Sequence, residues 1–355
     1  MSNPAVAATT DEVIFRREGR AGRLTLNRPA ALNALTYGMV KSITSALVAW
    51  RDDPSVELVI LDGVGEKALC AGGDVRWLYD IRKDGTSEAL AFWRDEYVLD
   101  AMIANYPKPY VSMMSGIVMG GGIGISAHAR HRIVSETSML AMPETTIGLI
   151  PDVGGTLLLA RAQGRLGLYL GLCGARMNGS DAIQAGFADT YVSRARTSEL
   201  VDALVREGGD PVDEIIDQFA EPVPASPLAA KRDLIDRLFQ GSDLKTIDGN
   251  LLTTTDELAR KAHADFLARS PKALALALEA ILRAKKYRTI EEALTVEYRL
   301  VNRLYEDGEF IEGVRALLVD KDKKPRWTPP SIGDVTPELV SRYFAPFAPG
   351  VELSW

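Results

Sequence analysis

Two periodicities alternate along the first 195 or so residues, and from about residue 196 only the helical one persists. Residues 13–17 and 23–26 alternate as half-buried strands do, with Gly19 and Gly22 in the turn between them. Across 36–50 the period changes. Val40, Ile43, Leu47 and Trp50 form one stripe of an amphipathic helix. Residues 57–61 read as a buried strand and 63–74 as a loop. Residues 87–105 read as a helix with Leu90, Trp93, Tyr97 and Met102 near helical spacing, ended by Pro107 and Pro109. Short strands are expected at 110–114, 133–135 and 139–141, and a helix opens in the glycine run Met119-Gly120-Gly121-Gly122-Ile123-Gly124. In the helical remainder, Ser270-Pro271 sets an N-cap before a proline at the first helical position, and Thr289 with Glu292 makes a capping box. Strands mixed with helices, then helices alone, describe an α/β core with a helical C-terminal region. The proline-rich stretch Pro222 to Pro227 is the expected connection, which divides the chain into 1–222 and 223–355.

The 355 residues carry a net charge of −7 with no long single-sign run. A nucleic-acid groove needs a basic stripe, so that class of partner is excluded. No stretch of 18 apolar residues is present, and no membrane span is expected. Met1 to Arg16 lack an apolar segment and carry Asp11 and Glu12. That fits neither a secretory signal nor an acid-poor transit peptide, and it predicts a cytoplasmic protein. Cys70 and Cys173 read as buried apolar residues of a reducing compartment. With His128, His131 and His263 they show no metal-ligand spacing, and no metal is expected.

Two glycine clusters carry the first chemical signal. Gly72-Gly73 follows a predicted strand, and Gly121-Gly122 stands where a strand gives way to a helix. A helix N-terminus offers unpaired N–H groups and the positive end of a dipole. Two such N–H groups aimed at one point would form an oxyanion hole. Gly122-x-Gly124-x-x-Ala127 with Glu144 about 20 residues on also matches a relaxed dinucleotide fingerprint. The match fails in context. Glu144 follows Pro143 into a different loop, and two strand–helix units already precede residue 109, so this is not a first βα turn. The second signal is a set of acids. Glu144 lies in the apolar run Met142 to Leu149, Asp152 follows eight residues later beside Val153-Gly154-Gly155, and Glu96 lies on the 87–105 helix. Carboxylates near one apolar pocket have their pKa values pushed apart, which suits one of them to act as base or nucleophile.

These motifs together resemble the crotonase, or enoyl-CoA hydratase/isomerase, superfamily. The resemblance rests on Leu26-Asn27-Arg28-Pro29 with Leu32-Asn33-Ala34-Leu35, then Lys67 to Asp74, then Met119 to Gly122, in the family's order. One branch fits best, the 3-hydroxyisobutyryl-CoA hydrolases. The motifs similar to that branch are Ala141 to Thr145, Gly148 to Gly155, Glu297-Tyr298-Arg299-Leu300, Glu312 to Ala316, Asp320 to Asp322 and Pro325-Arg326-Trp327. The resemblance implies a spiral core of ββα units, an acyl-CoA thioester substrate, no cofactor beyond the coenzyme A of that substrate, and a trimer or hexamer of identical chains. It places the oxyanion N–H groups on Gly73 and Gly121, the catalytic carboxylate on Glu144 and its partner on Asp152. It adds Glu96, Ala71 and Asp74 as substrate-binding residues.

The resemblance also discriminates. Hydratases of the family hold a water between two glutamates, and the second falls on a position that is Gly124 here. Asp152 occupies a position that hydratases usually give to a small residue. Hydrolysis of the thioester, as in valine breakdown, is therefore expected over hydration or isomerisation of an enoyl-CoA. Glu144 would attack the thioester or activate water, and Asp152 would bind the 3-hydroxyl or act as an acid. Arg28, Lys67 and Arg76 are the candidate cations for the coenzyme A phosphates.

Overall fold

A computed structural model describes residues 11–83, 88–348 and 350–355. The N-terminal reading falls largely on 1–10, outside the described residues. The described residues form ten strands: β1 (Val13–Glu18), β2 (Ala21–Leu26), β3 (Leu58–Gly63), β4 (Ala68–Cys70), β5 (Tyr110–Met113), β6 (Ile117–Met119), β7 (His131–Val134), β8 (Met139–Ala141), β9 (Met177–Asn178) and β10 (Thr190–Tyr191). Among the described residues all regular structure after β10 is helical, as the loss of the two-residue period predicts.

The strands belong to two sheets. The larger has the order β1-β2-β3-β5-β7-β10, and the smaller β4-β6-β8-β9. β1 and β2 are an antiparallel hairpin, and β2, β3, β5, β7 and β10 then run parallel. Each of β3, β5 and β7 is followed directly by a strand of the smaller sheet, so every turn of the chain adds one strand to each sheet. This is the spiral of ββα units expected from the resemblance. Parallel neighbours cannot be joined by a hairpin, and the helices Glu88–Ala104 and Gly121–Ala127 supply crossovers.

By internal contacts the described chain divides into two compact units. The first holds the chain up to Asp74, Val98–Leu140 and Met177–Ser226. The second holds Val75–Tyr97, Ala141–Arg176 and Pro227–Trp355. Both sheets lie in the first unit, apart from Ala141 at the end of β8. One face of its large sheet, with Ala21, Leu58, Ile60, Val111 and Ile133, packs on Leu200, Leu204, Ile215 and Ile216 of the helices Thr197–Glu207 and Val212–Phe219. The second unit is built around helices Gly155–Arg161, Leu166–Cys173, Pro271–Ala284 and Ile290–Glu306. All eight residues of Leu166–Cys173 are buried.

Local signals held where they were strong. Val40, Ile43, Leu47 and Trp50 face inward from helix Tyr37–Arg51. Ser270 accepts from the Ala273 N–H, and Thr289 and Glu292 close their box. Cys70 and Cys173 are fully buried, as expected. Several elements differ from expectation, among them the unanticipated β6, β9 and β10, each only two or three residues long. The segment read as a loop, 63–74, contains β4, whose three residues are too few to show a period, and helix Val75–Lys83 follows it. On helix Glu88–Ala104 the inward stripe is Phe92, Trp93, Glu96, Tyr97 and Asp100, whereas Leu90 and Met102 are only partly buried. Among the described residues no helix is long and apolar enough to cross a membrane.

Candidate active site

In the first unit the structure brings the two glycine clusters together. Leu35 bridges Gly73 as a short parallel ladder: its N–H donates to the Gly72 carbonyl at 2.8 Å, and its carbonyl accepts from the Asp74 N–H at 2.8 Å. In such a bridge the central residue's own N–H points away from its partner. Gly73 N–H is thus left facing away from Leu35. Gly72 has φ +116°, a conformation open only to glycine, and a Cβ there would stand 3.4 Å from the Met119 carbonyl and 3.9 Å from the Gly121 nitrogen. Gly121 opens helix Gly121–Ala127 after Gly120 at the N-cap, so its N–H is one of the donors without an intrahelical acceptor. All seven residues of this helix are buried. Gly122 lets it come close: a Cβ at that residue would lie 2.3 Å from the Cys70 carbonyl oxygen, at the end of β4.

Gly124 is closed as well as bare. A Cβ there would stand 2.6 and 2.8 Å from the two carboxylate oxygens of Asp100, a fully buried side chain. A side chain at this position would require the Asp100 carboxylate to move.

The acids lie in the second unit. Glu144 opens the 3-10 helix Glu144–Ile147, directly after Pro143. Two bonds from neighbouring helices seat that turn: Thr145 Oγ1 donates to the Leu172 carbonyl (3.3 Å), and the Ser270 N–H donates to the Thr145 carbonyl (3.4 Å). Ser270 is itself held by Glu309, which pairs with the buried Lys272. The Glu144 side chain is buried, and its Oε2 has no hydrogen-bond partner among the described residues. Burial first, then the charge of Asp152, pushes its carboxyl well above the usual carboxylate range. Glu96 is pushed up by the same two causes. Asp152 is pushed up to about 6 by burial, opposed by the hydrogen bond it accepts from the Tyr97 hydroxyl at 2.7 Å.

Behind Asp152 the chain makes a turn that ordinary residues avoid. Val153 has φ +53° and Gly154 φ +77°. A β-branched residue at positive φ costs roughly 1–3 kcal/mol and persists only where its surroundings impose it. Glu297, from helix Ile290–Glu306, imposes it here. It accepts from the Gly154 N–H at 2.7 Å, from the Thr156 N–H at 3.0 Å and from the Thr156 hydroxyl. Glu297 is fully buried, and burial pushes its carboxyl up to about 8 despite these three donors.

Sequence reasoning brought Glu96, Glu144 and Asp152 forward and passed over Tyr97 and Glu297 as polar partners. A signal for Glu297 was present. It lies on the stripe of Leu294, Tyr298, Val301 and Leu304, where a charged residue is out of place unless it is bonded. Of the remaining candidates, Asp74, Arg28, Arg76 and Ala71 are engaged within the fold. Asp74 pairs with Arg28 at 3.2 Å, Arg28 also pairs with Glu12 at 3.0 Å, and Arg76 pairs with Asp80 at 2.9 Å. The Ala71 N–H donates to the Leu32 carbonyl.

The chain belongs to the enoyl-CoA hydratase/isomerase family, whose model matches residues 21–344. Among curated relatives, the mitochondrial 3-hydroxyisobutyryl-CoA hydrolase of Xenopus tropicalis is 40% identical over 341 residues, 94% of this chain and 88% of that protein. The Homo sapiens protein of the same name is 36% identical over 342 residues, again 94% and 88%. Two solved structures superpose over 97% of this chain. One is titled a carnitinyl-CoA dehydratase from Mycobacterium thermoresistibile, with 45% identity, TM-score 0.92 and 99% of that chain covered. The other is titled an enoyl-CoA hydratase from Rhodobacter sphaeroides, with 46% identity, TM-score 0.90 and 100% covered. The mitochondrial names of the curated relatives overturn the cytoplasmic location expected from the first sixteen residues. That expectation rested on a short stretch of charge pattern, a weak signal against relatives matched over nearly the whole chain.

Proposed function

We propose that this protein hydrolyses the thioester of 3-hydroxyisobutyryl-CoA to the free acid and coenzyme A. The observation that carries the reading is the acid set: Asp152 stands with Glu144, while the position of a hydratase's second glutamate is filled by Asp100 lying against Gly124. Addition of water across a double bond needs two carboxylates on that water, and at the position of the second this chain has a glycine with the Asp100 carboxylate against it. This favours the name carried by the curated relatives over the titles of the two similar structures.

In the proposed reaction the N–H groups of Gly73 and Gly121 receive the thioester oxygen as charge develops on it. Each such donor is worth about 3–4 kcal/mol of barrier. Glu144 attacks the carbonyl carbon or takes a proton from the attacking water. Its unpartnered Oε2 leaves it free to do either. The Tyr97 hydroxyl favours the ionised form of Asp152, so the proton shared by the pair rests on Glu144. Asp152 accepts that proton as Glu144 engages the substrate, and returns it to the departing sulfur. The reaction needs no cofactor. A buried acid such as Glu96 or Asp152 that bonds the substrate's 3-hydroxyl is left unpaired by an acyl group lacking it, which disfavours plain acyl thioesters.

A thiol-release assay over a short panel tests this. Free coenzyme A is expected from 3-hydroxyisobutyryl-CoA at least about tenfold faster than from isobutyryl-CoA. Loss of the enoyl absorbance of crotonyl-CoA without thiol release would overturn the assignment in favour of a hydratase.

The pH profile provides a second check. Asp152 titrates at about 6 and Glu144 above the usual carboxylate range, so kcat/KM is expected to fall on the acid side at pH 6 or higher rather than near 4. In Asp152→Asn the acid limb of the residual activity is expected to move, because it then follows Glu144 alone, a carboxyl still raised by burial but relieved of the charge on Asp152. A limb that stays in place shows that the two acids do not titrate as a pair.

A further inference from the structure

We infer that Glu297 is a positioning residue for the hydrolysis: it holds the turn Asp152–Gly154 and so keeps the Asp152 carboxyl on the Tyr97 hydroxyl. The inference rests on the reading of Asp152 given above and adds to it a residue from a helix 145 positions further along the chain.

Three features separate this role from ordinary helix capping. The N-cap of helix Gly155–Arg161 is Gly154, which has no side chain with which to cap. A local Ser, Thr, Asp or Asn would satisfy the same donors from a polar, solvated position. Here the acceptor is instead a fully buried carboxyl group, with no cation among its contacts in the described residues. Secondly, its bonds fix the backbone immediately after the strained Val153. One donor is Gly154, the second of two successive residues at positive φ, and the others belong to Thr156 at the start of the helix. With these two points fixed, and with the Gly155 N–H bonded to the Asp152 carbonyl at 2.7 Å, Val153 has little freedom to leave its unfavourable conformation. Thirdly, Tyr298, the residue after Glu297, packs its ring edge to face on Tyr97, with centroids 6.3 Å apart. Consecutive residues of one helix therefore secure the backbone that carries Asp152 and the tyrosine that bonds it.

Glu297→Gln replaces one acceptor oxygen with an NH2 group, which must face a donor of Gly154 or Thr156. Thr156→Val removes only the hydroxyl donor and leaves both backbone bonds. The thioester that the wild-type protein hydrolyses fastest is the probe. Glu297→Gln is expected to lower kcat by ten- to a hundredfold with KM within about threefold, and Thr156→Val by a smaller factor in the same direction. Both losses are expected to vanish, to within about twofold, when introduced into Asp152→Asn, because the turn then has no functional carboxylate to aim. A structural role alone leaves the same loss in both backgrounds. If Glu297→Gln proves unfolded by circular dichroism, Thr156→Val decides by the same cycle. Turnover within twofold of wild type in the folded single variant, or an undiminished loss in the Asp152→Asn background, overturns the inference. Full turnover in Asp152→Asn itself would instead overturn the reading of the site on which it rests.

Discussion

Glu144→Gln is expected to reduce thioester turnover by about a thousandfold or more while leaving the protein folded. A positioned general base contributes about 10²–10⁴ in rate, and a nucleophile cannot be replaced by an amide at all. The fold is spared for a specific reason. Burial and the charge of Asp152 hold the Glu144 carboxyl well above its ordinary range, so its neutral form is the favoured one in the resting protein. Glutamine has the same shape and is also neutral. The exchange therefore removes no ion pair and strands no opposite charge, the two changes that make buried acids costly to lose. Activity measured beside a thermal melt separates the outcomes. Turnover within tenfold of wild type, with an unchanged melt, would place the catalytic group elsewhere. A single turnover in oxygen-18 water, followed by mass analysis of the Glu144 peptide, then identifies the route. Label in that peptide requires a covalent acyl–carboxylate intermediate.

How far the sequence anticipates this site depends on the distance over which each residue finds its partner. Caps are local, and Ser270, Thr289 and Glu292 bond within three residues of themselves, as read. The first helix is equally legible, because its inward stripe is wholly apolar. The helix Glu88–Ala104 is legible as a helix but not in phase. Two of its inward positions are Glu96 and Asp100, and a count of apolar residues turns the face away from them. The same cause hid Glu297, a carboxylate on an apolar stripe whose bonded partners lie 141 and 143 residues earlier. The Tyr97 hydroxyl likewise meets Asp152 across 55 residues. No period or short motif encodes such pairs. Glu144 and Asp152 themselves were singled out because family motifs surround them. The C-terminal motif around Arg315 was noticed in the same way, and its physical content emerges only in the fold. Its guanidinium gathers Glu312, Asp320 and Asp322 and so pins the segment that follows.

The second large effect is expected at Gly122, which bears no functional group. Gly122→Ala places a methyl 2.3 Å from the Cys70 carbonyl oxygen and 3.0 Å from its carbon, and neither backbone atom can swing aside as a side-chain tip would. Two effects of opposite sign compete. Alanine in a helix interior is favoured over glycine by about 0.5–1 kcal/mol. Overpacking a filled interior costs about 1–3 kcal/mol, and this contact belongs at the upper end. The net result is a less stable protein with a lower Tm. The larger effect falls on turnover. To relieve the contact, either helix Gly121–Ala127 or the end of β4 must move. The first carries the Gly121 N–H, and the second leads within three residues to the Gly73 N–H. A shift of about 1 Å costs on the order of a hundredfold in rate, comparable to losing one oxyanion donor. A fall in kcat/KM of about a hundredfold or more is therefore expected in protein that is still folded at the assay temperature. Gly249→Ala is the matched control. It lies in helix Leu244–Leu251, a Cβ there meets nothing within 4 Å, and its φ is ordinary. That variant is expected to gain up to about 1 kcal/mol of stability with unchanged turnover. If Gly122→Ala keeps kcat/KM within threefold of wild type, the Gly73 and Gly121 donors do not form the oxyanion hole proposed for them.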